Sequence, residues 1–518
     1  MCQMEQHITR ILDALPEKVI RNYRDCTITG LSYDSRHIST GYAYFALPGL
    51  HTDGHAFIDD AIQRGAACII HEHELLQYHE QVMYVQVPNS RTAMSPAAAA
   101  FWGHPSRTLI TIGVTGTEGK STVTALIAEL LNLAGYKAGF ISTVAYKIGT
   151  ETLPNPEHQT TPEATTIHEK LHAMLENNME YAVLESSSHG LSKIMNRLGD
   201  VDFDAGLLTN IRHEHLEFHK TWENYRNDKA NLFRALTASA KSKGTGNKTR
   251  TITPFGVVCK DDPSSTYVAQ CTSSPVYTYS VKTTADCYAT NCKTDSAGST
   301  FVITLDGTSY PARIHLPGAF NIENALGALL LVQRLTGDDP ERLISLLPQL
   351  TPITGRMTRI DMGQPFEVIV DYAHTPSSFE AIFPSLREQT KTRLICVFGS
   401  GGERDTLKRP EQGAIAAKYC DYVILSDEDP RGEDPMTLLM DIAKGCTGKT
   451  KDKDLFLIPD RAQGIRKALE LAVPGSTVAL LGKGHENTII YNDRVIPWNE
   501  IEEAKQALIE LGYTKGRT

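Results

Sequence analysis

Three features of the sequence predict an α/β protein built as three domains. At 518 residues the chain is too long for a single hydrophobic core. Leu109–Ala134 reads as a strand, a glycine loop and a helix in that order. Beyond residue 351, short β-branched runs alternate with helical segments. These signals divide the chain into a small α/β domain over 1–108, a central domain built on a phosphate-binding loop over 109–350, and a Rossmann-like doubly wound sheet over 351–518.

Composition narrows the class. The chain is 41% hydrophobic and 22% charged, as in a soluble globular protein. No apolar run approaches the ~20 residues of a membrane span, so no membrane partner is expected. Glu5, Arg10 and Asp13 interrupt the apolar pattern of Met1–Leu15, which therefore does not read as a signal peptide. Ten cysteines form no CxxC pair, which favours a reducing cytoplasm. A net charge of −10 argues against general nucleic-acid affinity. The low-complexity run Ser239–Lys248 reads as a mobile surface loop.

In the first domain, Leu31–Ile70 reads as strand, turn, strand (Tyr42–Leu47), Pro-Gly loop, helix and strand, with polar Asp34-Ser35-Arg36 and His51–Gly54 between apolar elements. The central domain opens on Leu109–Val114 and Thr115-Gly116-Thr117-Glu118-Gly119-Lys120-Ser121. Apolar residues then recur at helical spacing up to Gly135. Backbone N–H groups at that helix start face phosphates, Lys120 supplies charge and Ser121 offers a Mg²⁺ ligand. Val114 stands where a strict Walker A has its first glycine.

Downstream, Tyr181–Leu184 delivers Glu185 at a strand end, where a cation-organising acid belongs. Asn210–His219 holds three histidines and two acids. His213 and His215 alternate instead of lying at i, i+4, which suits a hard cation better than zinc. Asn321 and Asn324, one turn apart on a helix over Asn321–Leu335, face one ligand edge. In the third domain, strands Val368–Val370, Leu394–Phe398, Tyr422–Leu425 and Thr477–Leu481 each end in a polar loop, and open α/β sheets bind ligands at such ends.

Taken in order, GVTGTEGKST, TTP, ESSSHGL, NIRHEHLEFH, GAFNIEN, GRM, DYAHTP, FGSGGERD, DEDPRGEDP, DRAQGIR and GKGHE resemble the Mur ligase family over residues 31–486. The third-domain motifs resemble the branch that extends a nucleotide-linked dipeptide by one diamino acid. The resemblance implies an ATP- and Mg²⁺-dependent amide ligase, expected to be a cytoplasmic monomer serving cell-wall synthesis and hence cell shape and division. Its substrates would be UDP-N-acetylmuramoyl-L-alanyl-D-glutamate and meso-diaminopimelate, L-lysine or L-ornithine, joined through an acyl phosphate.

Carried over, Thr115–Ser121 hold the phosphates, with Lys120 on the β/γ pair. Ser121 and Glu185 hold one Mg²⁺, and His215 with a carbamylated Lys229 holds a second. Asn321, Asn324, Arg356 and Asp371 face the adenosine. Tyr33, Ser35, His51 and Thr52 take the uridine diphosphate, while Thr160, Thr161, Ser187 and Arg197 take the muramoyl-dipeptide end. Arg404, Asp429, Pro430, Arg431, Gly482 and Glu486 read the incoming amino acid.

The chain departs from the family in three places. Asp429 replaces a usual Asn and adds charge that favours a distal ammonium, while Arg431 favours a distal carboxylate. The segment Leu191–Leu198 is about two residues long for the family, with Met195 at a usual Gln. His213-Glu214-His215 replaces a commoner Arg-Asp-His. The rival readings are a sister ligase of the folylpolyglutamate type and a nucleotide-binding scaffold that has lost catalysis. Lys120, Glu185, His215 and Lys229 are all present, against the scaffold. A hinge is expected near Thr351–Gly355.

Overall fold

Apolar runs bounded by glycine and proline loops become the strands of three main sheets, each drawn from its own stretch of chain. The computed structural model describes all residues except 1–3, 50–51, 156–158, 213, 215, 245–248, 296, 317 and 515–518, and only the backbone of Leu216 and Glu217. No helix among the described residues is long and apolar enough to cross a membrane.

The first sheet orders its strands 19–21, 83–86, 68–71, 42–45 and 30–32, parallel except for the antiparallel edge 19–21. Tyr42–Phe45 stops two residues before the expected end, because Leu47 already belongs to the proline loop. Helix Ser90–Phe101, capped by Asn89, covers one face and leads toward the central unit.

Among the described residues the central sheet has eleven strands. Ile110–Thr115 lies between Tyr181–Glu185 and Ala205–Leu208, all parallel, so three carboxyl ends open side by side. All six residues of Ile110–Thr115 are buried. A strand closed on both faces excludes charged side chains, and this one has none; the buried Thr111 hydroxyl is satisfied by Asp202 O. Helices Lys120–Leu133 and Phe320–Thr336 pack one face; Ala164–Glu176 and Trp222–Arg234 pack the other.

The low-complexity run is partly structured. Lys241–Lys243 pairs antiparallel with Arg250–Ile252, and residues 245–248 lie outside the described set. Lys243 Nζ is buried against Asp202 Oδ2 (2.8 Å), Asp204 Oδ2 (3.1 Å) and Ser106 O (2.6 Å), while Lys241 Nζ reaches Asp202 Oδ1 (2.6 Å). At Lys241–Lys243 the surface-loop reading fails, because ion pairing to distant aspartates orders this part of the run. Composition carries no trace of it.

The third sheet runs 358–360, 367–371, 477–481, 394–398, 422–425, 455–457, parallel except for the first strand. Pro376–Gln389, Lys408–Tyr419 and Pro435–Ala443 cover one face, Arg461–Leu471 and Glu500–Glu510 the other. The crossover from the central unit is tied down at once: Thr351 donates through N and Oγ1 to Glu129 (3.1 and 2.8 Å).

Candidate active site

The phosphate-binding loop takes its shape from the neighbouring strand end. Thr117 N donates to Asn210 O (2.8 Å), Glu118 N to Asn210 Oδ1 (3.0 Å), and Thr209 Oγ1 to Glu118 O (2.6 Å). At Gly116 (φ 151°) a Cβ would stand 1.9 Å from Thr209 Oγ1, so only glycine fits. Left-handed Gly119 then starts helix Lys120–Leu133, aiming free N–H groups at the opening. Lys120 Nζ curls over the loop to Thr117 O (2.7 Å).

Ser121 Oγ donates to Glu185 Oε1 (3.0 Å), and Thr143 N holds Glu185 Oε2 (2.7 Å). A hydroxyl and a fixed carboxylate at the phosphate loop form the hard-oxygen set that Mg²⁺ prefers, so the residues present fit that ion. Behind the loop, Lys229 is 1% exposed, with Nζ on Gly116 O (2.6 Å) and above the Tyr225 ring. Burial, and then Lys120, press its pKa well below the usual lysine value; Glu214, Glu118 and Glu185 oppose this only in part. His215 and His51 lie outside the described residues.

Two cavities meet at this loop. One, of 530 Å³, is lined by Asn321, Asn324, Arg356, Asp371 and Phe320. Asn324 Nδ2 donates to Asn321 Oδ1 (3.0 Å), which leaves a joined amide edge. Asp371 accepts from Met357 N and Ala373 N (both 2.7 Å), so it anchors the linker as well as the wall. The other cavity, of 660 Å³, has Lys120, Ser121 and Glu185 on one wall and Arg404, Asp429, Arg431 and Glu486 on the facing wall. The walls touch: Arg356 Nη2 donates to Ser121 Oγ (3.2 Å) and Thr375 Oγ1 to Glu118 Oε1 (2.8 Å).

The facing wall differs from expectation. Asp429 does not add free negative charge, because fully buried Lys483 Nζ binds Asp429 Oδ1 (3.0 Å) and Glu486 Oε2 (2.6 Å). Burial pulls the Lys483 pKa down, but Glu486 and Asp429 outweigh it and leave it raised. The motif GKGHE pointed to this loop, yet the pairing spans 54 residues and no local pattern announces it. Glu428 was also missed. It lines the cavity, burial raises its pKa, and its Oε2 has no hydrogen-bond partner among the described residues. Gly482 (φ 99°) makes room for it, since a Cβ there would meet Glu428 Oε2 at 2.6 Å. Arg212 and Lys408, likewise not singled out beforehand, line the same cavity.

Other expected residues stand apart from both cavities. Tyr33 packs on the first unit's core, Ser35 opens a 3₁₀ turn capped by Asp34, and Thr52 is exposed. Thr160 reaches the larger cavity, whereas Thr161 Oγ1 is spent on Glu185 O (2.9 Å) and Ser187 Oγ on Gly190 N (3.1 Å). Arg197 is engaged with Thr161 O and Glu163.

Against known proteins, residues 27–102 match the Mur ligase family, catalytic domain; 114–332 the Mur ligase middle domain; and 355–484 the Mur ligase, glutamate ligase domain. A UDP-N-acetylmuramyl-tripeptide synthetase of Treponema denticola is 48% identical over 95% of this chain and 94% of its own. The chain belongs to the Mur ligase family. This Mur ligase is also 36% identical to a UDP-N-acetylmuramoyl-L-alanyl-D-glutamate–2,6-diaminopimelate ligase of Syntrophomonas wolfei, over 93% of this chain and 95% of that one. A solved structure of an enzyme with the same diaminopimelate-ligase name shares 29% identity and a TM-score of 0.60, covering 94% of this chain and 96% of that one.

Proposed function

We propose that this Mur ligase joins a diamino acid to UDP-N-acetylmuramoyl-L-alanyl-D-glutamate at the expense of ATP. One observation carries the reading: phosphate-binding and amino-acid-reading groups face each other across a single 660 Å³ cavity. A free carboxylate is a poor acylating agent, so the γ-phosphoryl group is first transferred to a carboxylate oxygen of the peptide, and ADP leaves. The amine nitrogen then attacks the carbonyl carbon. The C–N bond forms, the C–O bond to phosphate breaks, and the amine gives up a proton.

For this chemistry Lys120 and the loop amides hold the transferring phosphoryl oxygens, and catalysis is chiefly positioning and charge neutralisation. Mg²⁺, held by Ser121 and Glu185 when bound, supplies positive charge to those oxygens. Asn321, Asn324, Arg356 and Asp371 line the adenosine side, and Tyr33, Ser35, His51 and Thr52 are the residues assigned to the uridine diphosphate. Lys229 is the carbamylation site, with His215 its companion cation ligand. The neutral amine that burial favours is the form that adds CO₂. Arg404 and Arg431 suit the carboxylate of the incoming amino acid, and Glu428 and Glu486 its ammonium.

The test is ADP and phosphate release with the UDP-dipeptide, ATP and Mg²⁺, offering L-lysine, L-ornithine and meso-diaminopimelate separately, with mass spectrometry of the product. Turnover with one of them is expected and fixes the amino acid. Nucleotide binding without product from any of the three overturns the reading.

A further inference from the structure

Behind the Thr160–Thr161 turn, two guanidinium groups from different units converge on one carboxylate oxygen. Arg91 Nη1, from the first turn of helix Ser90–Phe101, donates to Glu163 Oε1 at 3.0 Å. Arg197 Nη2, from the central unit, donates to the same oxygen at 2.8 Å, and its Nη1 donates to Thr161 O at 2.9 Å. The side chains of Glu163 and Arg197 are only 4% and 8% exposed, and that of Arg91 20%. Among the described residues neither arginine has a second carboxylate within ion-pair distance. Arg197 Nε and Glu163 Oε2 are buried without hydrogen-bond partners there.

Two cations against one anion leave a net positive charge in a nearly closed site. Isolated buried charge is costly, so such a cluster is stabilised when an anion completes it. The acceptor peptide brings that anion. Its terminal glutamate carries one carboxylate to be activated and a second that does not react, and fixing the second is what aims the first at the phosphate loop. Thr160, next to the backbone that Arg197 holds, already lines the reaction cavity.

We infer that Arg91 is a specificity residue of the first unit that, with Arg197, receives the non-reacting carboxylate of the acceptor peptide, Glu163 holding the pair in place. The inference deepens the proposed function and rests on it. It also gives the first unit a part in positioning the peptide end, beyond grasping the nucleotide end.

The experiment compares wild type, Arg91→Gln and Arg91→Lys on the UDP-dipeptide and on its analogue whose non-reacting glutamate carboxylate is a carboxamide. Loss of a charge-assisted pair predicts that R91Q raises KM for the UDP-dipeptide about 10- to 30-fold, with KM for ATP and amino acid within about twofold. Wild type should lose a similar factor on the carboxamide, and R91Q at most about threefold more, because the partner charge is already gone. R91K, which keeps charge without the planar fork, should fall between, about threefold to fivefold on the carboxylate substrate. An unchanged KM in both variants, or a loss in R91Q that is equally large on carboxylate and carboxamide, overturns the inference and leaves a structural staple between units. If R91Q fails to fold, R91K decides by the same comparison. Absence of any product from wild type is a separate result: it overturns the proposed function, and the inference with it.

Discussion

Behind each wall of the larger cavity lies a buried lysine, and the two are in opposite situations. Lys229, on the phosphate side, has a backbone carbonyl and an aromatic ring for company, and its pKa is depressed. Lys483, on the amino-acid side, sits between Asp429 and Glu486, and its pKa is raised. Equal burial therefore disfavours the charged amine in one place and leaves it favoured in the other. What decides is whether a carboxylate lies within hydrogen-bonding distance. His168 extends the contrast. Fully buried with no partner for either ring nitrogen among the described residues, it has a pKa lowered to about 3 by burial and, secondarily, by His104.

The largest expected effect is on activity. Lys229→Met should cut product formation by roughly 10³-fold, a loss of the size seen when a group that stabilises transferring charge is removed. Thermal stability should be unchanged or higher, since a buried amine with no carboxylate at hydrogen-bonding distance is replaced by an apolar chain of similar length. A large fall in melting temperature would break the comparison. In wild type, removing CO₂ should lower the rate and bicarbonate should restore it, a dependence that Lys229→Met lacks.

Lys483→Met should do the reverse, costing roughly 3 kcal/mol of stability by leaving Asp429 and Glu486 without their cation. Chemical denaturation measures this, and adding Asp429→Asn should recover part of the loss. The pH dependence has a definite sign. Because the folded pKa lies above the ordinary 10.5, the contribution of Lys483 is complete below pH 10.5 and is lost as pH rises through the folded value. The alkaline limb of the stability curve should therefore be steeper in wild type than in the variant.

His168 acts on the acid limb. Its folded pKa of about 3 lies below the ordinary 6.5, so its stabilising share is complete above pH 6.5 and falls away toward pH 3. By linkage the loss is about 2 kcal/mol at pH 5. Asp204 and Glu323, each raised to about 6 chiefly by burial, gain protons in the folded state over part of the same range and offset some of it. The difference between wild type and His168→Leu isolates the histidine, and equal pH profiles would refute its role. The smallest effect concerns the contact between walls. Thr375→Ala removes the hydrogen bond to Glu118 and should weaken closure by about 1 kcal/mol, seen as a larger radius of gyration in small-angle scattering.

Strand positions were legible where burial on both faces forces an unbroken apolar run. Leu394–Phe398, Tyr422–Leu425 and Thr477–Leu481 fall where the residues alone put them. The phosphate loop was legible because its glycines, lysine and serine are contiguous. The facing wall was legible only as a set of loops. Glu428, Lys483 and the Arg91–Glu163–Arg197 cluster depend on residues brought together across tens of positions, and a charge reads the same in sequence whether it is paired or orphaned. Asp429 shows the cost of that: counted as extra negative charge, it is already neutralised by a lysine that local pattern could not assign to it.

Each main sheet is drawn from one unbroken stretch of chain, the first within residues 19–86, the central one within 110–314 and the third within 358–481. During synthesis the sheets can therefore form in the order they emerge. At roughly 5–20 residues per second, the chain that follows the central sheet takes on the order of ten seconds or more to appear. Over that interval the phosphate loop, its glutamate and its buried lysine can be folded on a nascent chain whose opposite wall is not yet made. The phosphate loop thus precedes its partners, since Arg356 and Asp371 of the neighbouring cavity and the facing wall of the larger one come only with the last third of the chain.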